Sequence, residues 1–196
     1  MIPCYKSVKL VIDKIIALGL LILLLPILLV LALLVYLDHR SIFFVQQRPG
    51  LLEAPFYLLK FKTMHDGGEN DSERVTALGS WMRKYSLDEL PQLWNVLKGE
   101  MSLIGPRPYL MEYLPLYSNN HRKRHYVLPG ITGWAQVNGG NELSWSRKLD
   151  MDAYYVDHLS FWMDLKVVYK TLLLLGKGER KEFPDTKFLG YTDNIK

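Results

Sequence analysis

The apolar residues of this chain are distributed unevenly along its length. Residues 15–37 form a run without a charged side chain, whereas the rest of the sequence mixes apolar, aromatic and charged residues in short periodic segments. As a helix rising about 1.5 Å per residue, this run is long enough to cross a hydrocarbon core of about 30 Å. It is also too long for a cleaved signal peptide. We therefore predict a membrane segment over residues 1–40 and a folded domain over residues 41–196.

A proline at the centre of the run bears on how the membrane segment is shaped. Pro26 lacks a backbone N–H, and its ring clashes with the carbonyl of Ile22, which predicts that the helix breaks there. Positive charge flanks both ends of the run, and the positive-inside rule places such residues in the cytoplasm. A re-entrant helix broken at Pro26 satisfies both observations, with a kinked spanning helix as the alternative. The flanking cations are Lys6, Lys9, Lys14, Arg40 and Arg48.

The remaining sequence predicts an α+β fold that is predominantly helical. β-Forming residues on either side of a Pro-Gly turn predict a β-hairpin over residues 41–48 and 55–63. A polar loop over residues 65–72 follows, and Ser72 or a neighbour is expected to cap a helix that runs to about Lys84. Further helices are predicted over residues 87–98, 144–157 and 161–175, short helical pieces over 109–118 and 120–126, and a turn-rich loop over 129–141.

The last of these helices is amphipathic, and several helices of this kind are expected at the membrane interface. Four apolar residues of the last helix share one face, which predicts that this face packs in the protein core. Aromatic residues flank the face, and contact with a membrane surface is the alternative. The shared face comprises Phe161, Leu165, Val168 and Leu172, with Trp162 and Tyr169 beside it.

The charge balance favours anionic partners. The chain carries a formal net charge of +4, which suits phosphates, acidic lipid head groups or nucleic acid. The basic run His121–His125 has no nucleic-acid-binding motif around it, so we assign it to a membrane surface or a solvated helix face and predict no nucleic-acid partner. The single cysteine, Cys4, excludes an internal disulfide and fits a reducing compartment.

Two adjacent acids, Asp88 and Glu89, are the strongest candidates for chemistry. Ser86 and Glu89 match a capping box, in which both side chains would only stabilise a helix start. The functional interpretation is a carboxylate nucleophile or general base whose neighbour helps to bind a divalent cation. Phosphoryl transfer needs both, together with fixed positive charge around the phosphate oxygens.

Cationic residues near this acidic turn are candidates for that positive charge. Lys60 and Lys62 alternate along the second hairpin strand and are expected on one face. Arg83 and Lys84 directly precede the turn, and Arg107 lies between two prolines that restrict its backbone. Their concentration around one acidic turn predicts binding of a phosphorylated substrate.

A second acidic pair offers a different chemistry. Asp150 and Asp152 form the DxD pattern with which many glycosyltransferases hold a metal–nucleotide complex, although here the pattern lies in a predicted helix. Direct glycosyl transfer by this pair is therefore one alternative function. A non-catalytic membrane scaffold, in which Asp88 and Glu89 only cap a helix, is another.

Four longer motifs resemble the bacterial sugar transferase family, the monotopic phosphoglycosyl transferases. The similarity extends from the apolar run to about Leu175. The motifs are QxRPG at 46–50, KFKTM at 60–64, SLDELPQLWNVLKGEMSLIGPRP at 86–108 and PGITGWAQVNG at 129–139.

This resemblance implies an enzyme of the bacterial inner membrane. Its catalytic domain would lie on the cytoplasmic face, with both ends of the membrane segment cytoplasmic. It would transfer a phosphosugar from a UDP-sugar to polyprenyl (undecaprenyl) phosphate and release UMP. This is the first membrane step of glycoconjugate assembly, and it would supply downstream glycosyltransferases.

The resemblance also implies roles for particular residues. Asp88 would be the nucleophile, forming an aspartyl-phosphosugar intermediate, and would lie next to Mg2+. Glu89 would complete the catalytic dyad. The residues implied for binding phosphate or substrate are Lys60, Arg83, Arg107, Gln136 and Asn138.

The chain departs from the family pattern at two positions. Leu25 precedes the central proline where the family often has serine, so no hydroxyl stabilises the expected break. Gly140 replaces an arginine in the loop that usually reads QVNGRN. The identity of the sugar therefore does not follow from the resemblance.

Overall fold

A computed structural model describes residues 2–67, 74–177 and 188–190, and it confirms a predominantly helical α+β fold. Short 3-10 helices connect several of the regular elements, at Leu51–Glu53, Leu87–Glu89, Met111–Leu116, Lys123–Tyr126 and Gly140–Glu142. In chain order, the helices and strands are α1 (Ile2–His39), β1 (Phe43–Pro49), β2 (Pro55–Phe61), α2 (Ala77–Lys84), α3 (Gln92–Lys98), β3 (Ser102–Ile104), α4 (Asn119–Arg122), β4 (Gly130–Thr132), α5 (Trp134–Val137), α6 (Trp145–Asp157) and α7 (Phe161–Lys177).

The predicted β-hairpin is confirmed. β1 and β2 pair antiparallel, from Phe43 opposite Phe61 to Pro49 opposite Pro55. The buried side chain of Asn95 on α3 extends this pairing, since its Oδ1 accepts from the Leu59 N–H at 3.1 Å and its Nδ2 donates to the Tyr57 carbonyl at 2.8 Å. A helix side chain thus satisfies two backbone groups of β2. It fixes the end of the strand that carries Lys60.

α1 continues through Pro26 without an interruption, so the predicted break in the helix is not found. A bend at this residue stays a prediction. By length and composition, the segment from Tyr5 to His39 is able to cross a membrane. One side of α1 packs on the rest of the protein on both sides of Pro26. Ala17 lies in an apolar cluster with Phe56, whereas Val35 lies in another with Met82.

The beginnings of two helices differ from those predicted. α2 is capped by Thr76, whose Oγ1 accepts from the Gly79 N–H at 2.9 Å, and Ser72 lies outside the described residues. The single helix predicted over residues 87–98 is wrong at its start, because the chain first forms a 3-10 turn and α3 begins only at Gln92. The predicted end is confirmed, since Gly99 adopts a left-handed conformation after α3.

A small parallel sheet was not predicted. β3 pairs with β4, with Ser102 opposite Gly130 and Ile104 opposite Thr132. β4 and α5 both lie in the stretch 129–141, which the turn-forming residues predicted to be a loop. The close approach of these two strands explains why glycines occur here, because a Cβ at Gly130 would lie 2.0 Å from the backbone nitrogen of Gly105.

The prediction that α7 buries its Phe161–Leu172 face in the core is wrong. Phe161 and Leu172 are 55% and 63% exposed, and the side that packs against the protein carries Met163, Asp164 and Val167. Apolar periodicity located the helix but not its buried side, because the buried stripe contains an aspartate. Contact of the exposed face with a membrane surface stays a prediction.

The basic run 121–125 is not a solvated or membrane-facing surface, which corrects our assignment. His121, Arg124 and His125 are buried. The guanidinium of Arg124 forms an ion pair with Asp152 at 2.9 Å and lies 4.2 Å from the ring centre of Tyr109. The partly exposed Lys123 pairs with Asp157. The run therefore contributes Arg124 and its two histidines to the interior of the protein.

Burial of His125 gives a testable dependence of stability on pH. Burial, reinforced by the charge of Arg124, lowers the pKa of His125 to about 3, whereas an unfolded histidine titrates near 6.5. Between these values the unfolded state binds more protons, so stability is complete above pH 6.5 and is lost as the pH falls. Relative to His125→Gln, the wild type should lose about 1.4 kcal/mol of unfolding free energy per pH unit below 6.5.

Chemical denaturation of both proteins between pH 7.5 and 5 measures this difference. His158→Gln is the matched control, because it makes the same substitution at an exposed histidine. Parallel curves for the wild type and His125→Gln would contradict the assignment of a buried neutral histidine.

Candidate active site

The acidic turn is held by apolar anchors on each side and not by the predicted capping box. Ser86 has a left-handed backbone (φ 58°, ψ 23°) and makes no capping hydrogen bond through its side chain. A capping serine has an extended backbone, whereas the backbone of Ser86 is left-handed. Instead, Leu87 and Leu90 pack against the cluster of Leu31, Val35, Phe61 and Met82 and present the two acids between them.

The two carboxylates meet different surroundings although they are adjacent. Glu89 is 4% exposed, and its Oε1 accepts from Lys60 Nζ at 2.9 Å and from Arg107 Nη1 at 3.0 Å. Asp88 is also buried, but its Oδ2 lies 3.8 Å from Lys60 Nζ, beyond hydrogen-bond distance. Glu89 is therefore the acid that organises the cations, and Asp88 lies next to them.

The charge of Lys60 depends on these acids. Burial lowers the pKa of Lys60, and the nearby Arg107 adds to this effect, while the carboxylates of Glu89 and Asp88 oppose it. Glu89 fixes the positions of Lys60 and Arg107, whose N–H groups are donors that suit phosphate oxygens. The arrangement is therefore suited to bind a diphosphate.

Arg107 is held in place through its backbone. Arg48 Nη1 donates to the Pro108 carbonyl at 3.3 Å, and Arg124 Nη2 donates to the carbonyl of Arg107 itself. Gly105 lets the chain pass closely over its neighbours, since a Cβ there would lie 2.4 Å from the Leu128 carbonyl oxygen. Arg48 and Arg124 were not predicted as supports of the site, although the QxRPG motif contains Arg48.

Arg83 and Lys62, the other predicted cations near the acidic turn, have identified partners of their own. Arg83 Nε donates to Thr63 Oγ1 at 2.9 Å, at the exit of the hairpin. Lys62, expected on the same face as Lys60, instead forms an exposed pair with Asp66 at 2.6 Å. A role for Arg83 in phosphate binding stays a prediction.

Gln136 and Asn138 support α5, the short helix that directly follows β4. Gln136 Nε2 donates to the Ile131 carbonyl at 3.0 Å, and Asn138 Nδ2 donates to the Trp134 carbonyl at 2.7 Å. Asn138 also accepts a hydrogen bond from Lys170 on α7. These bonds hold α5 against β4 and α7, and direct binding of substrate by either residue stays a prediction.

The DxD pair is used for structure. The Asp152 side chain is 2% exposed and paired with Arg124, and burial raises its pKa to about 6 despite that pairing. Asp150 points to a different partner, with its Oδ1 2.8 Å from His121 Nε2. Within residues 2–67, 74–177 and 188–190, no group of three or more acidic, histidine or cysteine side chains is arranged to hold a metal ion. The two aspartates are therefore engaged by different residues of the protein, Asp150 by His121 and Asp152 by Arg124.

Known proteins similar to this chain agree with the motif resemblance. The family model for bacterial sugar transferases matches residues 4–178. The chain is 49% identical over 162 residues to an uncharacterised sugar transferase, EpsL, of Bacillus subtilis, covering 78% of this chain and 80% of that protein. It is 40% identical over 178 residues to the UDP-glucose:undecaprenyl-phosphate glucose-1-phosphate transferase of Xanthomonas campestris, covering 81% of this chain but only 37% of that protein.

The name of a further relative specifies a different sugar. The chain is 36% identical over 195 residues to the UDP-N-acetylgalactosamine-undecaprenyl-phosphate N-acetylgalactosaminephosphotransferase of Aeromonas hydrophila, covering 91% of this chain and 46% of that protein. The chain thus spans less than half of these two functionally named relatives, and most of the Bacillus relative. The match over residues 4–178 and the motifs around the acidic turn show that the chain belongs to the bacterial sugar transferase family.

Proposed function

We propose that this protein transfers a phosphosugar from a UDP-sugar to polyprenyl phosphate and releases UMP. The observation that carries the proposal is the buried Glu89 carboxylate, which holds Lys60 and Arg107 beside a second carboxylate, Asp88. A site for a nucleoside diphosphate sugar needs cations in fixed positions. Transfer through a covalent intermediate also needs a nucleophile next to these cations. The functions named for the relatives from Xanthomonas and Aeromonas support this reaction class.

The reaction proceeds in two balanced displacements at the same phosphorus atom. A carboxylate oxygen of Asp88 attacks the β-phosphorus of the UDP-sugar, and the bond from that phosphorus to the oxygen bridging the α-phosphate breaks. UMP leaves with the bonding electrons, and the phosphosugar remains on Asp88 as an acyl phosphate. An oxygen of polyprenyl phosphate then attacks this phosphorus, which forms the polyprenyl diphosphate sugar and restores the Asp88 carboxylate.

The different contacts of the two acids favour Asp88 as the nucleophile. Both cations already engage Glu89 Oε1, which withdraws electron density from that carboxylate and orders the cations before substrate binds. Asp88 Oδ2 lies 3.8 Å from Lys60 Nζ. At this distance, the positive charge of Lys60 reduces the electrostatic repulsion between the Asp88 carboxylate and an approaching diphosphate. Positioned cations also stabilise the charge that develops on the departing UMP.

The acid pair fits a magnesium ion that is shared with the substrate. Mg2+ commonly binds through one or two carboxylates, substrate phosphates and water, so a cage of three protein ligands is not required. Asp88, with Glu89 next to it, would hold the ion, which when bound neutralises diphosphate charge and assists departure of UMP.

Replacing the nucleophile without changing its shape tests the proposal. Asp88→Asn should lower UMP release from a UDP-sugar by at least 10³-fold, because the amide cannot form the acyl phosphate; removal of a covalent nucleophile commonly costs this much or more. Nucleotide products are measured by chromatography with purified protein in lipid nanodiscs and a panel of UDP-sugars. Asp150→Asn, which alters a half-exposed acid of the DxD pair, is the matched control and should keep wild-type turnover.

The nucleotide product separates the alternative functions. Direct glycosyl transfer by Asp150 and Asp152 would release UDP, and Asp150→Asn would then impair it. A scaffold would release neither nucleotide, and Asp88→Asn would change only its thermal stability. Full turnover by Asp88→Asn would exclude Asp88 as the nucleophile.

We also propose that α1 is re-entrant and that both of its ends lie on the cytoplasmic face of the bacterial inner membrane. The contacts of α1 support this topology. Ala17 and Val35 are about 27 Å apart along a straight helix, close to the thickness of a hydrocarbon core, yet both pack against the folded domain. A domain outside the bilayer does not reach both ends of a helix that stands upright in it.

Cysteine labelling tests this topology. In a Cys4→Ser background, cysteines introduced at the exposed positions Lys6 and Ser41 should both resist a membrane-impermeant maleimide in intact cells. Both should react once the membrane is permeabilised, which is the internal control. Labelling of position 6 from outside the cell would show that α1 spans the membrane.

A further inference from the structure

A buried cluster of charges joins the N-terminal half of α1 to the folded domain. Lys9 Nζ lies 3.2 Å from Asp13 Oδ2 on the same helix and 2.9 Å from Asp164 Oδ2 on α7. All three side chains are at most 11% exposed. Two carboxylates and one lysine are thus enclosed where α1 meets α7, outside the Asp88–Glu89 site.

Hydroxyl groups complete this cluster. Asp164 accepts from Tyr5 at Oδ2 and from Tyr155 at Oδ1, both at 2.6 Å. The Ser102 hydroxyl lies 2.5 Å from Asp13 Oδ2. Each carboxylate is therefore linked to a hydroxyl of the folded domain, Asp13 to Ser102 on β3 and Asp164 to Tyr155 on α6.

Both links converge on the backbone of Ile104. The Tyr155 hydroxyl shares its one proton between Asp164 Oδ1 at 2.6 Å and the Ile104 carbonyl oxygen at 3.1 Å. The Ser102 hydroxyl likewise shares its proton between Asp13 Oδ2 at 2.5 Å and the same carbonyl oxygen at 2.9 Å. Ser102 Oγ also accepts from the Ile104 N–H at 3.2 Å. Ile104 is the last residue of β3, and the chain continues from it directly into Gly105–Pro108, which carries Arg107.

Stability alone is a weak explanation for such a cluster. Enclosing an ammonium and two carboxylates costs desolvation, and a well-packed apolar contact is often as stable. What apolar contacts do not provide is a directional bond to one carbonyl, and buried polar groups of this kind can fix a single geometry. Here, the fixed peptide group lies three residues before Arg107.

We propose that the N-terminal half of α1 is a positioning element of the active site. Through Asp13–Ser102 and Asp164–Tyr155, it fixes the Ile104 peptide and so the path of the loop that presents Arg107 to Glu89 and to the diphosphate. The inference rests on the function proposed above. It means that the membrane segment contributes to turnover as well as to attachment.

Two tyrosines provide a matched pair of variants for the test. Tyr155→Phe and Tyr5→Phe each delete one hydroxyl bonded to Asp164 at the same distance, but only the Tyr155 hydroxyl also reaches Ile104. Tyr155→Phe should lower kcat/KM for UMP release about tenfold and should speed hydrogen exchange in the peptide covering residues 104–110. Tyr5→Phe leaves Lys9 of α1 paired with Asp164, so it should change kcat/KM by less than about twofold and leave that exchange unchanged.

A double-mutant cycle distinguishes positioning from general destabilisation. If Tyr155 acts through Arg107, Tyr155→Phe should cost less than about threefold in an Arg107→Lys background, whereas a purely structural defect would cost the same in both backgrounds. Ser102→Ala tests the second link and should behave as Tyr155→Phe does, which keeps the test valid if one variant folds poorly.

The outcomes separate this inference from the proposed function. Equal exchange in the two tyrosine variants, or equal costs in both backgrounds of the cycle, would overturn the positioning role. A wild type that releases no UMP, while Tyr155→Phe still loosens residues 104–110 and Tyr5→Phe does not, would reject the proposed function and retain the positioning of the loop.

Discussion

The bonds from Lys60 and Arg107 to the Glu89 carboxylate are the interaction on which the site depends. They join three segments that are far apart in sequence: the second hairpin strand, the acidic 3-10 turn and the loop after β3. Much of the surrounding fold keeps these segments in place. Asn95 fixes the hairpin from α3, and Arg48 and Arg124 hold the backbone of the loop. Glu89 engages both cations, and the adjacent Asp88 lies 3.8 Å from Lys60, an arrangement that suits the proposed phosphosugar transfer.

α1 is bound to the folded domain along much of its length. Its apolar contacts lie on both sides of Pro26, and near its N-terminus the contact becomes ionic, through Lys9, Asp13 and Asp164. Most of the remaining surface of the helix is apolar and exposed, and so is the outward face of α7. If these two apolar surfaces contact a membrane, as we propose, the candidate active site lies next to the bilayer. That location suits an enzyme whose donor is soluble and whose acceptor is a polyprenyl lipid.

The sequence predicted elements with strong local signals, but not how distant side chains pair. The hairpin and the end of α3 at Gly99 followed from β-forming runs and a C-terminal glycine. The pairing of β3 with β4 is non-local and was hidden in a glycine-rich stretch. Burial of Arg124 and Asp152 was missed because charged residues are normally exposed, and each required the other as its partner. For the same reason, the capping-box pattern at Ser86 was misleading: Glu89 is engaged by cations from other segments.

The central claim is that Asp88, and not Glu89, carries the phosphosugar. It is tested most directly by quenching the wild-type protein in acid during turnover with a UDP-sugar and mapping the modified residue by peptide mass spectrometry. We expect a mass increase equal to one phosphosugar, located on Asp88 and lost when polyprenyl phosphate is added before quenching. An adduct on Glu89, or steady release of UMP with no adduct on any residue, would contradict it.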